Sequence, residues 1–486
     1  MAGPARRQGR ARAARPDCGF GCTPGGTRRA VVRQRLQPRA VASGLALFRA
    51  RREPAADTST PARCSSNRPE ANRGGRVSSL AGVLLHHVLH DVFALYASVV
   101  MAHFGLQVFF AHRSYRRALA TRGARSSRLP DVDVVITSYN EDPASLRACL
   151  ESLLAQDYRG AVQVYVVDDC SKNRTELMPV YAEFDRIPGW SVLLPERNRG
   201  KRMAQDAAFR HCRGELLVTV DSDTIVDPDA VAEIVAAFDD ERVGAVTGDV
   251  GVTNFRTNLL TRLIEMRYWV AFNQERAAQS CFRTVLCCSG PLAAYRRVAL
   301  QQIWARYVSQ TFRGIDCTYG DDRHLTNLVL GEGYDTLFLP FAHAVTNAPE
   351  DVPSYLRQQL RWNKSFYREL LWTVPFLLRR SPYMVFEVVV QTALPLLLTL
   401  AVTTALLYAA VEAPARLLHY AVVIAGMAVL RCAYAIYRTR RLSFLLFVFY
   451  GFLHLGLLVP LRIRALLTLT DNSWGTRKTV SAGGRA

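Results

Sequence analysis

The chain has 486 residues, 21% of them charged and 50% hydrophobic, a balance that fits neither a purely soluble nor a purely membrane-embedded protein and predicts a hybrid. Its 61 lysines and arginines against 41 acids leave a formal net charge of +20. Much of that excess lies in residues 1–78, so it does not describe the basic face of a folded nucleic-acid reader.

Residues 1–78 read as a disordered basic tail, because Gly, Pro and Ser interrupt arginine-rich runs such as "GPARRQGRARAARP" and aromatic residues are few. The 11 cysteines are scattered through tail, middle and apolar regions, which excludes a secreted disulfide framework and makes reduced cytosolic thiols the expectation. Cys18 and Cys22 have no second pair at zinc-like spacing. No apolar core of signal-peptide length opens the chain. Residues 79–112 are apolar for long enough to make one transmembrane helix and too short to make two. His86 and His90 within them read as interfacial rather than as metal ligands.

From 131 to 349 short β-branched runs ("VDVVITS", "VQVYVVDD", "ELLVTVDSD", "VGAVTGDV") alternate with amphipathic stretches. That pattern predicts an α/β domain with a mostly parallel sheet and helices on both faces. In such sheets ligands bind beyond the carboxyl ends of the strands, where the acidic clusters fall. "VYVVDDC" ends one strand with Asp168 and Asp169, and "VTVDSDT" ends another with Asp221 and Asp223. Carboxylates two apart at a turn can face one divalent cation, Mg2+ or Mn2+, that also binds a diphosphate. "NRGKRMAQDAAF" puts Gly200, Lys201 and Arg202 at a helix start, where backbone N–H groups and cations hold phosphate oxygens. In "YGDDRHLTN", Asp321 and Asp322 open a helix. One carboxylate there can serve as general base on an acceptor hydroxyl, with simple helix capping an equal reading of this segment alone.

Residues 350–380 are expected to form amphipathic helices at the membrane surface. Within "QQLRWNKSFYREL", Arg361 can bridge a diphosphate with two parallel hydrogen bonds, and Trp362 offers a flat apolar face on which a sugar ring packs. Arg and Trp also anchor interfacial helices without catalytic purpose. Apolar tracts at 383–411, 414–437 and 442–469 follow. "RTRR" (438–441) is expected in the cytoplasm and "EAPAR" (412–416) outside, which makes the first two tracts a spanning hairpin. The third contains Pro460, Arg462 and Arg464 and suits a helix that bends into the interface or one that crosses. Glu387 with Gln391, and Arg431, suggest a polar path among these helices.

Taken together, "SYNED", "VVDD", "GKR", "DSDT", "NLLTRL", "ERAAQS", "CSGPLAAYRR", "GDDRHLTN", "QQLRWNKSF" and "WGTRK" run in order from Ser138 to Lys478. They resemble the processive, membrane-integrated family 2 glycosyltransferases, and among these the single-polypeptide hyaluronan synthases. Asp-x-Asp and Gln-x-x-Arg-Trp are shared with cellulose and chitin synthases; "SGPL", "RWNKS" and "WGTR" sharpen the hyaluronan reading. The resemblance implies a cytosolic, Rossmann-like GT-A domain under a transmembrane helical channel in the plasma membrane. It implies that Tyr139, Glu141, Asp168 and Asp169 contact the nucleotide, that Lys201 and Arg361 hold its diphosphate, and that Asp221 and Asp223 hold the metal. Asp322, beside Asp321, would be the base. Trp362, Gln358 and Cys288 would meet the acceptor sugar, and Trp474 and Arg477, in the cytosolic segment 470–486, would gate the donor. UDP-GlcNAc, UDP-glucuronate, the growing polysaccharide and membrane lipid are the implied partners, with no nucleic acid and no obligate protein partner. The chain departs from the bacterial pattern in having one apolar tract, not two, ahead of the catalytic domain.

Three other readings compete with this one. A chitin-like or other β-linked polymer would use the same chemistry. A nucleic-acid-binding membrane protein leaves the acidic strand ends unexplained. A transporter that exports without synthesis leaves the paired carboxylates without a task.

Overall fold

A computed structural model describes residues 80–123, 126–411 and 416–472. The tail 1–78 and the segment with Trp474 and Arg477 lie outside the described residues. A long helix, α1 (Leu80–Ala120), leads into a central sheet of β1 (Val132–Ser138), β2 (Val162–Asp168), β3 (Trp190–Leu193), β4 (Leu216–Asp221), β5 (Ile225–Val226), β6 (Val243–Val252) and β7 (Ala293–Arg296). After a separate hairpin of β8 (Thr311–Phe312) and β9 (Ile315–Asp316), β10 (Asp335–Thr346) completes the sheet, whose strand order is β3-β2-β1-β4-β7-β6-β10-β5. Strands β1, β2, β3 and β4 run parallel to one another, as do β6 and β10, while β7 and β5 run antiparallel to their neighbours. The sheet is therefore mixed and mostly parallel, as the β-branched runs predict.

Alternation of side chains along β1 builds two cores. Val132, Val134 and Ile136 face one side, against helices α2 (Pro143–Leu154), α3 (Arg174–Phe184) and, farther along the sheet, α5 (Ala230–Ala237). Val135 faces the other, where α4 (Lys201–Phe209), α8 (Arg297–Val308) and α9 (Asp321–Gly331) pack. All are buried, so both faces of the sheet are covered, which is what a parallel sheet requires. Local chemistry sets the helix starts. Asp142 accepts from Ser145 N at 2.9 Å ahead of Pro143 in the first turn of α2. Asn258 makes a capping box with Thr261 at the start of α6 (Leu259–Val270).

After α6 come a π turn (Ala271–Arg276) and α7 (Ala277–Cys281), both packed against α1. Past β10, the 26-residue α10 (Val352–Leu377), capped by Asp351, carries the chain to α11 (Pro382–Val411) and α12 (Arg416–Thr439). The last apolar tract is a 3-10 turn (Leu442–Phe447), α13 (Val448–Leu453), a π turn (His454–Leu458) and α14 (Val459–Leu467). Among the described residues three stretches are long and apolar enough to cross a membrane: Ala94–Ala120, Pro382–Ala405 and Leu442–Leu467. Helix α12, with Arg416, Arg431 and Arg438 in its 24 residues, is not one of them.

The apolar helices join the α/β domain through a buried carboxylate. Glu387 on α11 has no exposed surface, and its Oε2 lies 2.6 Å from His103 Nε2 of α1. Its Oε1 accepts from Gln107 at 3.0 Å, from Gln391 at 2.7 Å and from Gln279 of α7 at 3.3 Å. Removing that acceptor would orphan donors on three helices. Glu387→Ala is expected to cost about 3 kcal/mol, the scale of a broken buried pair, and to lower the thermal unfolding midpoint of the detergent-purified protein. An unchanged midpoint would show the network to be dispensable.

Candidate active site

Strand register assembles the site. Ser138 lies opposite Asp168, and Thr137 opposite Asp221, so β1, β2 and β4 end together and their acidic turns stand side by side. Glu141, Lys201, Asp221, Asp223, Asp321, Asp322, Gln358, Arg361 and Trp362 all line one cavity of about 520 Å³.

Asp168 and Asp169 stand in the wall behind it. Asp168 is buried, accepting from Arg174 Nε at 2.5 Å and from Ser171 N at 2.8 Å. Asp169 is buried too and accepts from the backbone N–H groups of Arg199 and Gly200, at 2.9 and 2.8 Å. These two carboxylates shape the turns around the cavity, and the second presets the start of α4. Tyr139 is partly buried at the end of β1, outside the cavity lining. Glu141 reaches inward, accepting from Ser222 Oγ at 2.7 Å.

Lys201 is the central cation. Its Nζ lies 2.5 Å from Asp221 Oδ1 and 3.5 Å from Asp321 Oδ2. Burial works against its charge, but Asp221 and Asp321 outweigh it and raise the ammonium's pKa. Asp223 accepts from Thr346 Oγ1 of β10 at 3.0 Å, and burial, with Asp221 and Glu141 nearby, pushes its carboxyl up to about 6. Among the described residues no three or more metal-ligating side chains cluster. The donor set at Asp221 and Asp223 is thus two hard carboxylates, which fits a cation that takes its other ligands from substrate phosphates and water. Gly290 closes the opposite wall: a Cβ there would stand 3.0 Å from Lys201 Nζ and 3.1 Å from Asp221 Oδ2.

Asp321 and Asp322 occupy the first turn of α9, preceded by Gly320 in the left-handed region at φ 85°. Their environments differ. Burial raises Asp322, and the Asp321 charge adds to it; Asp321 itself, though equally buried, is held down by Lys201 and Arg202. One acid is thereby disposed to take up a proton and its neighbour to stay charged. Cys287 Sγ lies 3.4 Å from Asp322 Oδ2 and lines the cavity. Cys288, expected at the acceptor, is instead fully buried in the core beside Ala293 and Tyr295, its N–H on Thr326 Oγ1 at 2.9 Å.

Trp362 is 46% exposed, its ring 6.3 Å from that of Tyr268. An exposed Trp inside a cavity is a ready platform for a sugar ring. Trp362 also lines a second cavity of about 400 Å³ between α1, α11, α12 and α14, and Arg267, Glu275, Arg323, Gln359 and Gln391 line both. Motif reading gave no role to Arg276, the second residue of "ERAAQS", which donates to Cys287 O at 3.0 Å and Ser289 Oγ at 2.7 Å. It likewise gave none to Thr346 or to the Arg267–Glu275 ion pair at 3.1 Å. Their partners lie on other segments of the chain, a choice that no local pattern specifies.

A family model described as Glycosyl transferase family 2 matches residues 133–304. A protein of Sinorhizobium fredii named N-acetylglucosaminyltransferase is 41% identical over 389 residues, covering 80% of this chain and 94% of its own. One of the same name from Rhizobium meliloti is also 41% identical, over 79% of this chain and 90% of its own. Among solved structures, the mannosyltransferase PcManGT from Pyrobaculum calidifontis, in complex with GDP-Man and Mn2+, aligns with a TM-score of 0.53 at 23% identity. The alignment covers 75% of this chain and 98% of that one, a likeness of fold.

The raised pKa of Asp223 carries a stability consequence. A carboxyl whose folded pKa exceeds its unfolded value binds more protons when folded, so stability falls as pH rises through about 6. Asp223→Asn is therefore expected to raise the unfolding midpoint of the nucleotide-free protein at pH 7.5 but not at pH 4.5. The same variant should weaken binding of UDP in the presence of Mn2+. Equal midpoints for variant and wild type at pH 7.5 would contradict the assigned repulsion.

Proposed function

The chain belongs to glycosyl transferase family 2, and from that premise we propose that it is an inverting N-acetylglucosaminyltransferase that builds a chitin-like, β-linked chain from UDP-GlcNAc at a membrane surface. The observation that carries this reading is the shared lining of the two cavities. Donor-side carboxylates, a candidate base and an exposed Trp face one cavity, and the same Trp lines a second cavity between the apolar helices. Hyaluronan, expected from the motifs, needs a second donor. The relatives' name favours a single amino sugar over that expectation.

Asp221 and Asp223 would hold the divalent cation. When bound, that cation neutralises charge on the departing diphosphate. Lys201 and Arg361 both line the cavity and add positive charge for phosphate oxygens. Trp362 and Gln358 hold the acceptor sugar with its hydroxyl toward Asp322. Asp322 takes the hydroxyl proton as the oxygen bonds to the anomeric carbon, and the bond to the diphosphate breaks with its electron pair leaving on UDP. A single displacement turns the α-linked donor into a β-linkage, so no covalent enzyme intermediate is required.

The catalytic domain and the basic 438–441 segment share one side of the membrane in this reading. Arg441 pairs with Glu265 of α6 at 2.9 Å, and Arg368 of α10 donates to Leu469 O at 2.7 Å, so both ends of the last apolar tract meet the catalytic domain. Such a tract returns to the side it left. By the positive-inside rule that side is the cytosol.

Purified full-length protein, given UDP-GlcNAc alone, is expected to form a product cleaved by chitinase, with no radiolabel entering from UDP-glucuronate. A product made only with both donors and cleaved by hyaluronan lyase would restore the hyaluronan reading; no transfer from either donor would overturn both. Asp322→Asn should leave UDP affinity intact and lower transfer at least about a hundredfold, the scale of a lost general base.

A further inference from the structure

We propose that Lys364 and Arg368 are positioning residues for the transfer step: they hold the chain at 469–472, just past the last apolar helix, against the loop that presents Asp321 and Asp322. The inference rests on the reading of Asp322 as the base.

Lys364 and Arg368 lie four apart on α10, about one and two helical turns beyond Arg361, and each is only 2% exposed. Burying two cations is costly unless each is paired. Lys364 Nζ donates to Asp471 Oδ2 at 2.8 Å. Arg368 donates to Leu469 O at 2.7 Å and to Asp471 O at 3.1 Å, and its guanidinium lies 4.7 Å from the centre of the Tyr319 ring. From the other side, Tyr319 OH donates to Asp471 O and Thr318 Oγ1 to Asn472 O, each at 2.8 Å, and Asn472 Nδ2 donates to Asp316 O. The segment is thus fastened between α10 and the 316–319 loop.

That loop runs directly into Gly320 and the two acids. Gly320 holds a left-handed conformation, and a side chain there would overlap Ser365 of α10. On its inner side the loop is tied by Arg202, which donates to Cys317 O at 3.1 Å. Its outer side is tied by the chain that leaves α14, whose Arg462 lines the cavity between the apolar helices. The place of the Asp322 carboxylate therefore depends on residues 150 positions away in sequence. A displacement of about 1 Å in such a group can cost on the order of a hundredfold in rate, which gives these contacts a catalytic consequence although none of them touches a reacting atom.

The test uses isosteric changes on the loop side and charge exchange on the helix side, in detergent-purified full-length protein supplied with UDP-GlcNAc. Thr318→Val/Tyr319→Phe removes both loop donors to 471 and 472 while keeping shape. It should fold normally, bind UDP within about twofold of wild type, and lose about tenfold or more in kcat with little change in KM. Lys364→Asp should lower kcat similarly, and adding Asp471→Lys should restore at least about a third of it. Wild-type kcat in the loop variant would overturn the inference. So would a kcat loss in Lys364→Asp that the exchanged pair fails to recover, or a loss that disappears once activity is counted per folded molecule. If wild type transfers sugar but Asp322→Asn does too, the reading of the base falls, and the positioning role with it. Normal turnover in the loop variant beside an inactive Asp322→Asn removes the positioning role alone.

Discussion

Convergence of carboxylates is the constraint on which the site depends. Glu141, Asp221, Asp223, Asp321 and Asp322 face one cavity, and mutual repulsion at low solvent exposure would ordinarily drive such groups apart or neutralise them. Lys201 makes the arrangement tenable by standing between Asp221 and Asp321, and burial raises the carboxyls of Asp223 and Asp322, which disposes both to take up a proton. A site with this balance suits a cation and a proton, which the proposed transfer would use. Lys201 is held where it is by the buried Asp169, which fixes the turn at Gly200. The acids in the wall and the acids in the cavity thus work in sequence.

Helix α10 distributes its side chains among three neighbours. Arg361 and Trp362 face the cleft. Lys364 and Arg368 turn toward the chain at 469–472. Glu369 accepts from Gln310 at 2.6 Å and Asn327 at 3.0 Å and lies 3.1 Å from His324 Nδ1, which fastens the body of α9. With 3.6 residues per turn, positions one apart point in different directions and positions four apart in the same one. A single helix can therefore line the cavity and hold both α9 and the returning chain.

The junction with the apolar helices follows the same logic in a drier setting. Glu387 is surrounded by donors from α1, α7 and α11, so the polar group is satisfied inside the bundle and the helices are held in one register. Gln391, which donates to Glu387, lines both cavities. The polar path between the apolar helices is thereby built from residues that also stabilise their packing.

From the sequence alone came the alternation of strands and helices, the acidic strand ends and the family, because β-branched runs and Asp-x-Asp or Gly-Asp-Asp turns carry their physical meaning within a few residues. The apolar tracts were legible for the same reason, since length and hydropathy are local. Tertiary structure decided which acids enter the cavity. Asp168 and Asp169 sit at a strand end as Asp221 does, yet they accept hydrogen bonds from Arg174 and the Gly200 turn and serve the wall. It decided that Cys287, not Cys288, faces Asp322. It also brought Lys364 and Arg368 to residues 469–472 across more than 100 positions. A carboxylate or an arginine declares its chemistry wherever it stands, but its partner is chosen by the packing of distant segments, and no local pattern encodes that choice.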